Sequence, residues 1–197
     1  MFADVLRERA RGIADLTDSQ VATLQSHYDL MVRWNKVLNL TTIKDLAEVV
    51  DRHYVESLFL GTHLPSGPLT IADVGSGPGF PGFPVAVLRA DCHITLIESH
   101  QRKAVFLREA SRSLPNVKVI SQRAEAIAGA FDWVISRAVS YQDLGSSMPK
   151  LAGRGVALLT GHEEPPPAWG FAWQETLPIP PGKSRWLRLG TRVVAEE

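Results

Sequence analysis

Over roughly the first sixty residues apolar positions recur every three to four places, and beyond that short apolar runs alternate with amphipathic stretches. The first part predicts helices. Phe2, Val5, Leu6, Ile13 and Leu16 stand at about helical spacing, and Thr17 with Gln20 three places on forms a capping box that opens a second helix. That helix turns Val21, Leu24, Tyr28 and Met31 to one face. A third begins after Thr42, with Asp45 placed to favour its N-terminal dipole and Leu46, Val49, Val50 and Leu58 as its apolar stripe. Gly61 to Pro68 holds two glycines and two prolines in eight residues and marks a boundary. Strands are then predicted at Leu69 to Val74, His93 to Glu98, Val117 to Ser121, Phe131 to Ser136 and Val156 to Thr160, with helices between them. The clearest helix is Arg102 to Arg112, with Val105, Phe106 and Ala110 inward. Two further strands, near Phe171 to Thr176 and Arg185 to Val194, lack a full helix between them. The prediction is therefore an α/β, Rossmann-like fold. Its sheet is mostly parallel with an antiparallel C-terminal hairpin. A helical N-terminal cap covers residues 1–64, and residues 65–197 form one compact core.

Composition narrows the functional classes. At 197 residues and 45% hydrophobic content the chain supports one well-buried core. No apolar run approaches the ~20 residues of a membrane span, and Met1 to Arg11 is charged rather than leader-like, so the expected location is cytoplasmic. Cys92 is the sole cysteine and reads as a small core residue rather than a nucleophile. Basic and acidic residues balance at 21 each, which removes the global positive field of a general nucleic-acid binder; any RNA must meet a local patch. Pro165, Pro166 and Pro167 predict a stiff surface loop. His162-Glu163-Glu164 beside them has ligand-type side chains in a setting that does not suit a metal, and no metal is expected. Trp34, Trp133, Trp169, Trp173 and Trp186 are assigned mainly to packing rather than to a base-stacking platform.

The chemistry concentrates where Leu69-Thr70-Ile71-Ala72-Asp73-Val74 runs into Gly75-Ser76-Gly77-Pro78-Gly79-Phe80-Pro81-Gly82. Glycines let a backbone turn sharply and approach a ligand, and the following helix offers free amides. Gly77 to Gly82 even satisfies G-x-G-x-x-G, a pattern several cofactors share. Glu98 ends the second strand a little over twenty residues after Gly75, where a carboxylate can accept from both hydroxyls of an adenosine ribose. That suits NAD and S-adenosylmethionine equally. Two features favour the methyl donor. Asp73 can face its ammonium and sulfonium end, where a diphosphate would be repelled, and Pro78 and Pro81 remove N–H groups that a pyrophosphate would use.

At this point several separate motifs are similar to one known family. Trp34-Asn35-Lys36-Val37-Leu38-Asn39-Leu40-Thr41, Arg52-His53-Tyr54-Val55-Glu56-Ser57-Leu58, the Asp73 to Gly82 loop, Leu96-Ile97-Glu98-Ser99 with Arg102-Lys103 and Phe106-Leu107, and Ser136-Arg137-Ala138 together cover most of the chain. They resemble the bacterial small-subunit ribosomal RNA guanine-N7 methyltransferases, the glucose-inhibited division protein B family. The resemblance implies a Rossmann-like, S-adenosylmethionine-dependent methyltransferase fold. It also implies methylation of guanine N7 in small-subunit ribosomal RNA, with the RNA or a ribosomal particle as partner; separately, a monomer is expected. The implied donor site joins Asp73, Gly75, Gly77, Gly79, Phe80 and Glu98 to Ala124, Glu125 and Arg137; Arg137, His53 and Asn39 face the reaction, and Arg185 and Arg52 meet RNA. Two positions depart from the family. Glu98 stands where Asp is usual, and Thr160-Gly161 where Lys-Gly is common, which bears on substrate handling more than on the donor.

Guanine N7 offers an in-plane lone pair and loses no proton before attack, so such an enzyme needs positioning rather than a base. Blander roles stand beside these assignments. Asn39 can cap a turn, His53 can be a satisfied histidine on the face of Val49, Val50 and Ser57, and Glu125 can pair with Arg123. Three other functions also remain at this level: a non-catalytic, donor-binding ribosome assembly factor, an NAD-dependent oxidoreductase, for which no hydride-transfer constellation is recognisable, and a small-molecule methyltransferase, against which the N-terminal motifs argue.

Overall fold

In the computed structural model the described residues are 1–166, 169–182 and 184–193, so Pro167 of the proline run and Val194 at the end of the last expected strand lie outside them. Helix α1 (Phe2–Ala10) packs on α2 (Asp18–Leu38), whose capping box forms as expected: the Thr17 N–H donates to Gln20 Oε1 at 2.9 Å and the Gln20 N–H to Thr17 Oγ1 at 3.2 Å. Such caps stabilise a helix end by about 1 kcal/mol. Asp45 caps α3 (Leu46–Val49) by accepting from the Glu48 N–H, and the chain continues through a π-helical turn, Val50–Val55, into α4 (Glu56–His63). Widened turns of this kind recur at functional sites, and this one carries Arg52, His53 and Tyr54. The helical segment thus ends at His63, inside the boundary expected from Gly61 to Pro68; Gly61 itself is helical, where an added Cβ would stand 3.0 Å from Leu88.

The remainder builds the sheet from β1 (Thr70–Val74), β2 (His93–Ile97), β3 (Val117–Ile120), β4 (Phe131–Arg137), β5 (Ala152–Thr160), β6 (Phe171–Trp173), β7 (Leu177–Pro178) and β8 (Trp186–Arg192). Helices α5 (Gly82–Leu88), α6 (Gln101–Ala110), α7 (Tyr141–Gly145) and α8 (Met148–Leu151) connect them, with a short 3-10 turn at Ala124–Ala126. The order is β3-β2-β1-β4-β5-β8-β6, parallel as far as β5 and antiparallel beyond it. The antiparallel end is more than a hairpin: β8 lies between β5 and β6, and β7 pairs with β8 as well.

Alternation along the strands divides the core. Ile71, Ile94, Leu96, Trp133, Ile135 and Leu159 face one side, where they join Phe2, Leu6, Leu24, Tyr54 and Phe83 of the helices, while Ala72, Val74, Ile97, Val134 and Val156 face α7 and α8 on the other. Burial of each large apolar side chain contributes about 1.5–3 kcal/mol, so the N-terminal helices are held on the sheet by apolar packing. One detail differs from the pattern reading. Val105 is half exposed, and α6 turns Ala104, Phe106 and Leu107 inward, because the stripe that meets the sheet lies one position off the expected one. Cys92 is buried, as expected of a core residue.

Candidate active site

The turn after β1 is anchored on all sides. The N–H groups of Gly75 and Ser76 donate to the Ile97 carbonyl at 3.0 and 3.1 Å, and the Gly77 N–H donates to Glu98 Oε2 at 2.8 Å. The other Glu98 oxygen accepts from the His100 N–H at 2.7 Å. Gly75 has φ +73°, and a Cβ there would lie 2.5 Å from Val139 Cγ2, so only glycine fits between the turn and the end of β4. Open space lies on both sides of this point. A pocket of about 520 Å³ is bounded by Asn39, Arg52, His53, Phe80, Lys103 and Arg137 among others, and one of about 250 Å³ by Ile97, Ser99, Ala124, Glu125 and Val139; Gly75 lines both. A third space of about 320 Å³, at the carboxyl ends of β4 and β5, is bounded by Tyr141, Thr160, His162 and Arg185 and shares Ala138 with the first.

Asp73 does not line either of the pockets flanking Gly75. It is fully buried, its Oδ2 accepts from the Gly82 N–H at 2.9 Å, and its Oδ1 finds no partner among the described residues. Burial pushes its carboxyl up to about 7, with Glu98 adding to the rise and the Gly82 bond opposing it. The carboxylate therefore acts on the turn from behind.

On the facing wall, Arg137 Nη1 donates to the Arg52 carbonyl and to His53 Nδ1, both at 2.7 Å. An arginine only donates, so Nδ1 accepts, the imidazole proton sits on Nε2, and Nε2 donates to Thr41 Oγ1 at 2.8 Å. Burial, then the charges of Arg137 and Arg52, hold His53 down to about 3, so it is neutral and stacked 4.6 Å from the Phe80 ring. Burial also lowers Arg137, to about 10, which leaves it charged at neutral pH. Glu56, almost fully buried, accepts a fork from Arg185 at 3.3 Å to each oxygen, and Arg52 Nε stands 3.2 Å from Oε1. Asn39 is the left-handed C-cap of α2, with φ 45°, and also lines the large pocket, so the capping role and the site position coincide. Glu125 does not pair with Arg123: its Oε1 accepts from Ser146 Oγ at 3.1 Å.

The structure thus gathers Asn39, Arg52, His53, Gly75, Gly77, Phe80 and Arg137 around one pocket, and Ala124 with Glu125 around its neighbour. Arg185 borders the third space and lines neither pocket at Gly75. Sequence reasoning missed Thr41, Glu56 and the buried pair His27 and Tyr54. Glu56 stands four places after Arg52 inside a quoted motif, and His27 is a polar residue on an otherwise apolar helical stripe; both were visible signals. At Thr160, where the family's lysine is absent, Oγ1 accepts from Arg188 Nε at 3.1 Å. Arg188 is buried, and also donates to Thr176 Oγ1 at 3.1 Å and the His162 carbonyl at 3.4 Å. A guanidinium from β8 thereby occupies the end of β5. Among the described residues no group of three or more His, Cys, Asp or Glu is placed to hold a metal, and no helix is long and apolar enough to cross a membrane.

Residues 20–159 match the model of one protein family, rRNA small subunit methyltransferase G (GidB). The chain belongs to that family. It is 43% identical to a ribosomal RNA small subunit methyltransferase G of Xanthomonas axonopodis, over 67% of this chain and 63% of that protein. It is 38% identical to the protein of that name from Enterobacter sp., over 73% and 72%. The matched stretch therefore spans a little under two thirds of the first relative's length. Among solved structures it is similar to a magnesium protoporphyrin IX methyltransferase from Synechocystis with bound S-adenosylhomocysteine, with TM-score 0.63 and 14% identity over 90% of this chain and all of that one. A methyltransferase from Aquifex aeolicus gives TM-score 0.60 at 15% identity, over 79% and 97%. At those identities the likeness bears on the fold, an α/β methyltransferase fold with a mostly parallel sheet.

Proposed function

We propose that this chain methylates guanine N7 in small-subunit ribosomal RNA, with S-adenosylmethionine as donor. The observation that carries the reading is the pair of pockets meeting at Gly75, inside a turn of the GidB family. The residues fit that donor. Gly75 leaves a cradle that a Cβ would fill, Ala124 and Glu125 border the smaller pocket as an adenine would need, and Glu98 keeps free lone pairs for ribose hydroxyls after accepting two backbone N–H groups. Gly77 and Phe80 line the larger side, Gly79 packs behind them against Phe83 and His27, and Asp73 lies buried behind the turn, where a bound cation favours its charged form. When bound, the donor supplies an electrophilic methyl group.

The chain's own part is to orient and to exclude water. His53 accepts from one end of Arg137 and so aims the remaining N–H groups of that guanidinium at the acceptor, on guanine O6 or a phosphate. Arg52 and Arg185, steadied by Glu56, meet RNA phosphates, and Asn39 borders the acceptor. Arg188 supplies at Thr160 the positive charge that a lysine brings elsewhere in the family. Residues 1–64 act as a cap and 65–197 as the core of one unit. Because one chain provides the walls of all three spaces, a monomer suffices, and an enzyme acting on ribosomal subunits works in the cytoplasm.

The test is incubation of the protein with labelled S-adenosylmethionine and small ribosomal subunits. Wild type is expected to label the RNA at guanine and Arg137→Ala to lose at least about a hundredfold in rate, on the scale of losing a preorganised charged donor. Unlabelled RNA with intact donor binding would instead mark an assembly factor.

A further inference from the structure

One buried polar pair, His27 and Tyr54, lies outside the walls of both pockets at Gly75. His27, on α2, is only 1% exposed, and Tyr54, in the π-helical turn, is fully buried. His27 Nε2 lies 2.9 Å from the Pro78 carbonyl oxygen and Nδ1 lies 2.7 Å from the Tyr54 hydroxyl. A carbonyl only accepts, so the proton sits on Nε2, Nδ1 accepts, and the tyrosine hydroxyl donates. Both ring nitrogens are then satisfied by a neutral imidazole, and burial holds the group neutral by lowering its pKa to about 4. The ring cannot swing away: it stacks on Phe83 at 4.2 Å, and the edges of Phe80 and Phe106 close in at 5.3 and 5.8 Å.

The bond's target is the middle of the glycine turn. In the peptide unit joining Pro78 and Gly79, the carbonyl end is held by His27 and the N–H end donates to the Ser76 carbonyl at 2.7 Å. One rigid plane is thus fixed at both ends. Gly79 leaves no slack behind it, since a Cβ there would lie 3.1 Å from Phe83 Cβ and 3.3 Å from His27 Nε2. Pro78 lines the large pocket, whereas neither His27 nor Tyr54 does. We propose that His27 is a positioning residue for the methyl-donor turn, and that Tyr54 sets the imidazole tautomer that allows it. The proposal rests on the donor reading given above. A cap helix, through one imidazole, fixes the plane of a loop peptide against which the donor lies.

Three variants and a tautomer measurement test this. Calorimetric titration with S-adenosylhomocysteine should show Kd rising about tenfold in His27→Phe and about threefold in Tyr54→Phe, as expected for a buried acceptor losing its donor. His27→Gln, whose amide N–H reaches as far as Nε2, should recover most of the affinity. RNA affinity and kcat at saturating donor should stay within about twofold of wild type, which separates loop positioning from general loosening of the core. Nitrogen-15 NMR of the unliganded wild type should find the His27 proton on Nε2, and this reading stands even if His27→Phe does not fold. A proton on Nδ1, unchanged donor affinity in folded Tyr54→Phe, His27→Gln no better than His27→Phe, or RNA affinity falling in step with donor affinity would each overturn the proposal. If wild type does not bind S-adenosylhomocysteine, the donor reading fails; if it binds and the variants bind alike, only the role of His27 fails.

Discussion

Asp73→Asn separates the cost of the buried carboxylate from its use. In the folded protein this group titrates at about 7 against an ordinary 3.8, because burial without a partner for Oδ1 penalises the charged form. The folded state therefore holds a proton that the unfolded chain releases, and stability falls as pH rises from about 4 to 7. A gap of that size corresponds to about 4 kcal/mol above pH 7, of which about 2.5 kcal/mol develops between pH 5 and pH 8. Asparagine has the same shape, can still accept from the Gly82 N–H, and carries no such dependence. Wild type alone does not reveal the effect, since buried His27 and His53, held to about 4 and about 3, lose stability in the opposite direction as pH falls below 6.5. The difference between variant and wild type isolates it. Urea titrations of both proteins should show the variant gaining about 2.5 kcal/mol relative to wild type between pH 5 and pH 8, close to 1 M in midpoint for m near 2–3 kcal/mol/M. Parallel pH profiles would refute the reasoning. A cationic donor favours the charged form, so wild-type affinity for S-adenosylmethionine should also rise with pH through 7, and that of the variant should not.

Gly75→Ala forces a Cβ to 2.5 Å from Val139 Cγ2 at φ +73°, and is expected to cost about 1–3 kcal/mol of stability and to abolish the thermal shift given by S-adenosylhomocysteine. A retained shift would show that the turn has room to spare. Arg188→Met strips the three hydrogen bonds that tie β8 to the end of β5, to His162 and to Thr176, and should cost about 2–3 kcal/mol in urea unfolding and raise KM for RNA. Adding Thr160→Lys to that variant should restore KM but not the stability, and no rescue would separate Arg188 from substrate binding.

Local patterns carried most of this architecture. The Thr17–Gln20 cap, the glycine turn and the five parallel strands depend on neighbours in sequence, and they form where the pattern places them, except that β5 begins at Ala152, four residues before the expected Val156. The C-terminal end depends on pairing over distance, and nothing in Phe171 to Arg192 announces that β8 inserts between two earlier strands. The site divides the same way. Asn39, His53, Phe80 and Arg137 stand in motifs and meet at one pocket, whereas the Glu56 fork on Arg185 joins residues 129 places apart and the His27 bond to Pro78 spans 51. Asp73 was legible as an acid in the right turn. Its inward direction follows from strand alternation, which sets it on the face of Ile71 against Gly82 rather than on the pocket wall.

The insertion of β8 also fixes an order of assembly. Within the described sheet β6 and β7 pair with β8, so both leave the ribosome before the one strand that can receive them exists. Shortening the chain by a dozen or so residues would not trim a border but take out a strand with neighbours on both sides, leaving three earlier segments, β5, β6 and β7, with open backbone edges during synthesis.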